Sequence, residues 1–314
     1  MKNVKKLLYK VVALMGAFVM FITTPAFAAE SHQENLTDED REYWESVEWE
    51  TFDISAYEDE VNELEIMQET ETGISLMYLE GVEGTWIQAS DGRWWYKHTD
   101  GSYTTSSWEK INGVWYYFDA SGWMYTGWLH DNGHWYYLDS VSGAMQTGWI
   151  VVKNCYYYCD ASGVMQTGWV YTNSKWYYCD ERSGHWIDNT GTKMIQEAFK
   201  YVGGKYVYGG NSLTTGVDCS GYVQQISKIY GITTPRTSSS QYSSSKKVAY
   251  DDLQPGDLVF FSSSSSSSKV THVAFYVGRI NGQDDMIVHA ANSKAGIILS
   301  SMCSNVVGCG TYWR

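Results

Sequence analysis

Asp218-Cys219-Ser220-Gly221-Tyr222-Val223 follows a glycine-rich loop and opens a stretch in which Val223, Ile226 and Ile229-Tyr230 recur at helical spacing up to Gly231. Cys219 therefore stands at a helix N-terminus. There the unpaired N–H groups and the helix dipole favour an anion and lower a thiol pKa toward the thiolate. Upstream, Met194, Ile195, Ala198, Phe199 and Val202 share one face of another helix, ended by Gly203-Gly204. Downstream the period becomes two, and Leu258 to Phe261, Val270 to Gly278 and Ile287 to Ala290 read as strands. The serines from Ser262 to Ser268 cannot build a core and read as a flexible loop between two of them. His272 and His289 each interrupt an apolar strand. A lone buried histidine is usually a hydrogen-bonded core residue. Two of them on neighbouring strands, after a helix-capping cysteine, point instead to a nucleophile, its base and an orienting group.

Further pieces surround this set: Tyr206-Val207-Tyr208-Gly209-Gly210, Pro235-Arg236-Thr237-Ser238, Leu253-Gln254-Pro255-Gly256-Asp257-Leu258-Val259-Phe260-Phe261, Thr271 to Gly278, and Val288-His289-Ala290. Together they span nearly all of residues 193–314, and in this order the segment resembles the NlpC-type peptidoglycan endopeptidases, cell-wall cysteine peptidases with a papain-like α+β core. The resemblance implies cleavage of a stem-peptide amide, typically between D-isoglutamate and the following diamino acid. Cys219 would be the nucleophile, His272 the base, and His289 the group that fixes the His272 tautomer. Tyr208 and the backbone N–H of Cys219 would stabilise the oxyanion. Asp218 and Ser220 join Tyr208 as oxyanion or substrate candidates, Asp218 having a structural role as helix cap open to it. Some relatives that recycle small muropeptides carry an acid after the Pro-Arg pair. Thr237 at that place points toward intact wall as substrate.

Before this domain, from about residue 84 to 188, the chain repeats itself. Trp86, Trp108, Trp128, Trp149 and Trp169 are separated by 22, 20, 21 and 20 residues. Aromatic triplets follow at Trp94-Trp95-Tyr96, Trp115-Tyr116-Tyr117, Trp135-Tyr136-Tyr137, Tyr156-Tyr157-Tyr158 and Trp176-Tyr177-Tyr178. Each unit reads as two short strands around a turn. One such hairpin is marginal alone, so five must stack to bury their aromatic faces. With Met145-Gln146-Thr147-Gly148-Trp149 as its junction, the unit resembles the choline-binding type of cell-wall repeat, a class also found in glucan-binding and toxin proteins. The resemblance implies aromatic cages for a quaternary ammonium group, held by cation–π attraction. The cage candidates are Trp128, Trp135, Trp149, Trp169 and Trp176, and the implied partner is a wall polymer such as choline-substituted teichoic acid. Tyr156 replaces the expected tryptophan of its triplet and Ser107 the expected glycine.

The flanks and composition complete the organisation. Of 314 residues 44 % are apolar, enough for a sizeable core, and the net charge of −14 is concentrated in one segment. Residues 30–83 hold nineteen acids against Arg41 alone, and read as an acidic, loosely ordered spacer, with Val61, Leu64, Glu65 and Gln68 leaving an amphipathic helix open. No basic patch suggests nucleic acid. Lys2, Lys5, Lys6 and Lys10, the apolar run Val11 to Ile22 and Ala26-Phe27-Ala28 form a secretory signal cleaved after Ala28, and no later stretch is long enough to span a membrane. The expected domains are thus signal 1–28, linker 29–83, five β-hairpin repeats 84–188 and peptidase 190–314, in a secreted, wall-associated protein of a Gram-positive-type bacterium. Export permits disulfides, and Cys303 and Cys309 are candidates to pair across a turn, while Cys159 and Cys179 occupy the slot of Phe118 and Leu138 and read as buried hydrophobes. No cofactor or metal is implied, since the histidines and cysteines lack structural-zinc spacing. Two other classes compete: a cysteine-dependent wall amidase cutting before the stem peptide, and a wall- or glucan-binding protein with an inactive peptidase domain.

Overall fold

The computed structural model describes residues 36–58 and 82–314, so the expected signal and the remainder of the acidic segment, including its candidate helix, lie outside the described residues. Four full helices are named here: α1 (Asp38–Ser46), α2 (Thr190–Phe199), α3 (Cys219–Ile229) and α4 (Ser238–Ser244). A two-residue strand β1 (Thr51–Phe52) follows α1. Five hairpins then appear where the aromatic periodicity placed them: β2–β3 (Gly84–Gln88, Trp94–His98), β4–β5 (Ser107–Ile111, Val114–Phe118), β6–β7 (Gly127–Asp131, His134–Leu138), β8–β9 (Gly148–Val152, Cys155–Cys159) and β10–β11 (Gly168–Thr172, Lys175–Cys179). The last four turn on two residues with positive φ, among them Asn112-Gly113 and Asn132-Gly133. Their backbone twist matches that of the flanking strands, which is why two residues suffice.

The acid after each triplet has a structural task. Asp119 accepts from the N–H groups of Ser121 and Trp123, and Asp160 from those of Ser162 and Val164, closing the turn behind each hairpin. The chain then bonds back to an earlier hairpin, Met145 N–H donating to the Trp115 carbonyl at 2.9 Å and Met165 N–H to that of Trp135 at 2.8 Å. Phe118, Leu138, Cys159 and Cys179 are fully buried beneath these stitches, and burial pushes both thiols up to about 12.

The C-terminal part builds an antiparallel sheet from β15 (Lys246–Val248), β16 (Leu258–Phe261), β17 (His272–Ile280), β18 (Gln283–Asn292), β19 (Gly296–Ser301) and β20 (Val306–Thr311), in the order β15-β20-β16-β17-β18-β19-β1. The short β12 (Trp186–Ile187) extends the last hairpin, and β13–β14 (Asn211–Ser212, Gly216–Val217) form a separate ribbon before α3. Tyr222, Val223 and Ile226 of α3 join Val273, Phe275 and Val277 of β17 in the main core. The opposite face is buried too: Ala274, Tyr276 and Ile287 pack with Trp44 of α1.

Three expectations are corrected. Residues 36–58 are not a loose spacer but lie folded on the sheet, β1 pairing with β19 and Ile54 entering the main core. The boundary near 188–190 falls inside shared structure, because β10, β11 and β12 continue the sheet through a parallel bridge of Trp169 with Ile280. At Gly168 a Cβ would lie 2.5 Å from the Arg279 carbonyl, so the close approach of the two backbones requires glycine there. Cys303 and Cys309 are both free thiols; Cys309 sits opposite Val259 in the β16–β20 ladder and both pack in the Trp44 cluster.

Candidate active site

Asp218 caps α3, its Oδ1 accepting from the Gly221 N–H at 2.7 Å. The same carboxylate takes Arg236 in a fork, Nη1 to Oδ1 at 2.9 Å and Nη2 to Oδ2 at 2.7 Å, and Oδ2 also accepts from the Gly209 N–H. Arg236 reaches Ser220 Oγ and the Gly210 carbonyl as well. Three separate pieces, the loop at 209–210, the helix start with Asp218 and Ser220, and the Pro235-Arg236 segment, are thereby clamped around Cys219. The Asp218 carboxylate and the Ser220 hydroxyl are both taken up by Arg236, and neither residue lines the cavity that holds Cys219: both are corrected from oxyanion or substrate candidates to supports of the Cys219 position. Tyr208 does line the cavity that holds Cys219.

Two strands supply the histidines. His272 begins β17 opposite Phe261, and His289 lies on β18 opposite Ile298. His272 Nε2 and His289 Nδ1 are 2.7 Å apart, and His289 Nε2 is 3.2 Å from Ser300 Oγ. Ser300 Oγ also lies 3.2 Å from the Ser301 carbonyl, and the direction that suits a base facing Cys219 has its O–H on that carbonyl and Ser300 Oγ accepting from His289 Nε2–H. His289 Nδ1 is then bare and accepts from His272 Nε2–H, which leaves the lone pair of His272 on Nδ1. His272 and Cys219 line one cavity of about 280 Å³, together with Thr271 and Asn292. The arrangement thus holds a thiol at a helix start beside an imidazole whose far nitrogen is fixed as a donor.

Burial depresses both histidines, His272 to about 3 and His289 well below its ordinary value, the charge of His272 adding to the effect on His289. Among the described residues no group of His, Cys, Asp and Glu is arranged to hold a metal ion. No helix among them is long and apolar enough to cross a membrane.

Sequence reasoning did not find Ser300, Arg236 as the Asp218 partner, or Trp44 and Trp49, whose rings cover the histidines. Arg236 stood in a quoted motif and could have been matched to Asp218 by charge. Ser300 carries no signal, being one of two serines that end the apolar strand β19.

The cage candidates divide. Trp128 packs edge-on against Trp135 and Tyr157, and Trp149 against Tyr177 and Trp186, with Tyr156 edge-on to Trp186. Trp135 and Tyr156 are 45 % and 47 % exposed. These are open aromatic clusters. Trp169 and Trp176 are corrected: both are buried, Trp169 Nε1 donating to the Val277 carbonyl at 2.8 Å and Trp176 packing on Phe199. They join the last hairpin to the core of the C-terminal domain.

A cysteine at a helix start and a pair of bonded histidines at one cavity, on a helix-and-sheet domain preceded by aromatic hairpin repeats, are what this geometry brings together. Residues 203–309 match the NlpC/P60 family, and residues 104–147 and 146–190 match the choline-binding repeat, so the chain carries an NlpC/P60 domain behind choline-binding repeats. Over 105 residues it is 39 % identical to the bifunctional muramidase/DL-endopeptidase CwlT of Bacillus subtilis, covering 33 % of this chain and 32 % of that protein. It is 47 % identical over 95 residues to the "Probable endopeptidase p60" of Listeria seeligeri, covering 29 % of this chain and 17 % of that one. A third relative, the gamma-D-glutamyl-L-lysine dipeptidyl-peptidase of Bacillus cereus, is 34 % identical over 104 residues, 33 % of this chain and 29 % of the relative. The chain thus spans a third or less of the length of these curated relatives.

Proposed function

We propose that this protein is a secreted, wall-associated cysteine endopeptidase that cuts peptidoglycan stem peptides between D-isoglutamate and the diamino acid. The hydrogen-bond chain from His272 through His289 to Ser300, ending beside Cys219, carries the proposal. In the reaction the Cys219 thiol gives its proton to His272 Nδ1 and the sulfur attacks the amide carbonyl. The tetrahedral oxyanion is met by the Cys219 N–H and Tyr208. Collapse breaks the C–N bond, His272 returns the proton to the leaving amine, and water hydrolyses the acyl-enzyme by the same route. The names of two relatives, a muramidase/DL-endopeptidase and a gamma-D-glutamyl-L-lysine dipeptidyl-peptidase, support this choice of bond over the sugar-to-peptide amide.

The repeats direct the enzyme to its polymer. Trp128 with Trp135, and Trp149 with Tyr156 and Trp186, offer aromatic faces to a quaternary ammonium group such as the choline of teichoic acid. Arg93 already lies 4.0 Å over the Trp123 ring, a resident example of the same attraction.

Mass spectrometry of purified muropeptides digested with the wild type and with Cys219→Ala tests the proposal. Products whose masses place the cut after D-isoglutamate, absent with the variant, are expected. Release of intact stem peptides would make the enzyme an amidase instead.

A further inference from the structure

The acidic segment 36–58 lines the cavity that holds Cys219 and His272, through Leu36, Arg41, Trp44 and Glu45. The Trp44 ring sits 4.6 Å from the His272 ring at 31°, and the Trp49 ring 4.4 Å from His289 at 70°, the two indoles being parallel to within 7°. Groups around the active centre hold the segment down. Trp44 Nε1 donates to Thr271 Oγ1 at 3.1 Å, and Asn292 Nδ2 donates to the Trp44 carbonyl at 3.0 Å. The Glu45 carboxylate accepts from the Ser293 N–H at 3.1 Å and from its hydroxyl at 2.6 Å. Asp40 bonds Lys269 and Ser263 of the loop before β17. Burial opposes the Asp40 charge, but the bonds from Lys269, Ser263 and Thr37 outweigh it and hold the carboxyl well below the usual range. Beyond β1 the segment ends on the last repeat, where Tyr57 stacks on Trp176 and Trp176 Nε1 donates to Glu58 at 2.6 Å.

The consequence for catalysis is twofold. The cavity beside Cys219 has only about 280 Å³, with Leu36, Arg41, Trp44 and Glu45 forming one wall. Sites for drug-sized ligands run from roughly 300 to 1,000 Å³, and a stem peptide must extend on both sides of its scissile amide. His272 and His289 are 2 % and 0 % exposed beneath the indoles, with neutral Ser300 rather than a carboxylate at the end of their chain. The proton that His272 must accept would therefore be held as an imidazolium in a dry site with no counter-charge in that chain.

Resting on the peptidase proposal above, we infer that residues 36–52 form an inhibitory strap that keeps the Cys219–His272 centre closed to stem peptides until it is displaced. Its two tryptophans close the histidine side, and its acidic side chains are the fastenings to the rim. A strap that instead completed the site would leave activity lower when loosened. The inhibitory strap makes the opposite prediction.

The test uses the full-length chain with two strap variants, Trp44→Ala/Trp49→Ala and the volume-preserving Asp40→Asn/Glu45→Gln. One readout is the rate at which a bulky aryl maleimide labels Cys219, located by peptide mass spectrometry. The other is turnover of a soluble tetrapeptide muropeptide. A closed state favoured by a few kcal/mol leaves the open form about 0.1–10 % populated. Loosening the strap should therefore raise labelling roughly ten- to a thousandfold, more in the tryptophan variant, and turnover in parallel. A synthetic peptide of residues 36–58 added in trans should reverse both. Labelling and turnover at or below wild-type rates in the Asp40/Glu45 variant, with native circular dichroism, would overturn the strap. Faster labelling with no turnover of any stem peptide would keep the strap and overturn the peptidase proposal.

Discussion

Replacing Trp169 by alanine removes a side chain that is 2 % exposed, packs against Phe199, and donates its indole N–H to the Val277 carbonyl at 2.8 Å. Truncating a buried aromatic costs about 3–5 kcal/mol. The lost hydrogen bond contributes about 1 kcal/mol. The sum is a large part of the roughly 5–15 kcal/mol that holds a typical domain folded. The half-buried Trp149 is its counterpart one repeat earlier, with ring neighbours drawn from the repeats alone. Its truncation costs roughly 1–2 kcal/mol of lost apolar contact. With a urea dependence of about 3 kcal/mol per molar, Trp169→Ala lowers the unfolding midpoint by roughly 1–2 M and Trp149→Ala by about 0.5 M. The midpoint is read from the strand signal in far-ultraviolet circular dichroism and, in parallel, from hydrogen-exchange protection of β17 amides by mass spectrometry. Equal shifts for the two variants, or loss of the hairpin signal with β17 protection intact, would refute the claim that the last repeat belongs to the peptidase core.

Ser300→Ala removes the group that sets the direction of the histidine chain; kcat should fall about three- to tenfold, one hydrogen bond's worth, with KM nearly unchanged, and steady-state kinetics on a soluble muropeptide will show it. His289→Asn should retain more kcat than His289→Ala, since an amide can still accept from His272 Nε2–H; equal losses in folded proteins would argue against an orienting role. Burial depresses His272 to about 3 and His289 well below its ordinary value, so below about pH 6.5 the unfolded chain binds more protons than the folded one. Stability is therefore highest above that pH and falls as the pH drops toward 3, by about 1.4 kcal/mol per unit for each histidine, measurable as urea midpoints between pH 7.5 and 4.5. Trp135→Ala with Tyr156→Ala should abolish retention on a choline-bearing resin while leaving the urea midpoint within about 0.5 M, exposed positions costing little; unchanged retention would move the ligand away from these clusters.

How much of this could be read from the residues alone varies with the range of the signal. Hairpins, helices and the three residues proposed for catalysis carry local signals: Asn112-Gly113 specifies its turn, Cys219 its helix start, and His272 and His289 break otherwise apolar strands. The covering of β17 is not local. Val273 to Val277 is apolar at every position, which already implies burial on both faces, yet the acidic run around Trp44 offered no periodicity to mark it as the second cover. Trp169 and Trp176 failed as cage residues for a related reason. They keep the repeat's spacing, and only the sheet beyond them reveals that their exposed side is occupied. Asp218 and Ser220 sit beside the nucleophile in sequence, but an N-cap turns them toward Arg236 and away from the cavity.

The bridge between Trp169 and Ile280 fixes one end of the row of hairpins, while among the described residues the far hairpin β2–β3 pairs with no other strand. A single hairpin is marginal in water, and each unit is stitched to an earlier one through contacts such as Met145 to Trp115. Order therefore spreads outward from the peptidase sheet, and fraying should grow with distance from it, toward Gly84. For anyone recombining such parts, a graft made at residue 190 would leave β10 to β12 of a shared sheet behind, and one made at Gly168 would still need residues 36–58, which cover the other face of that sheet.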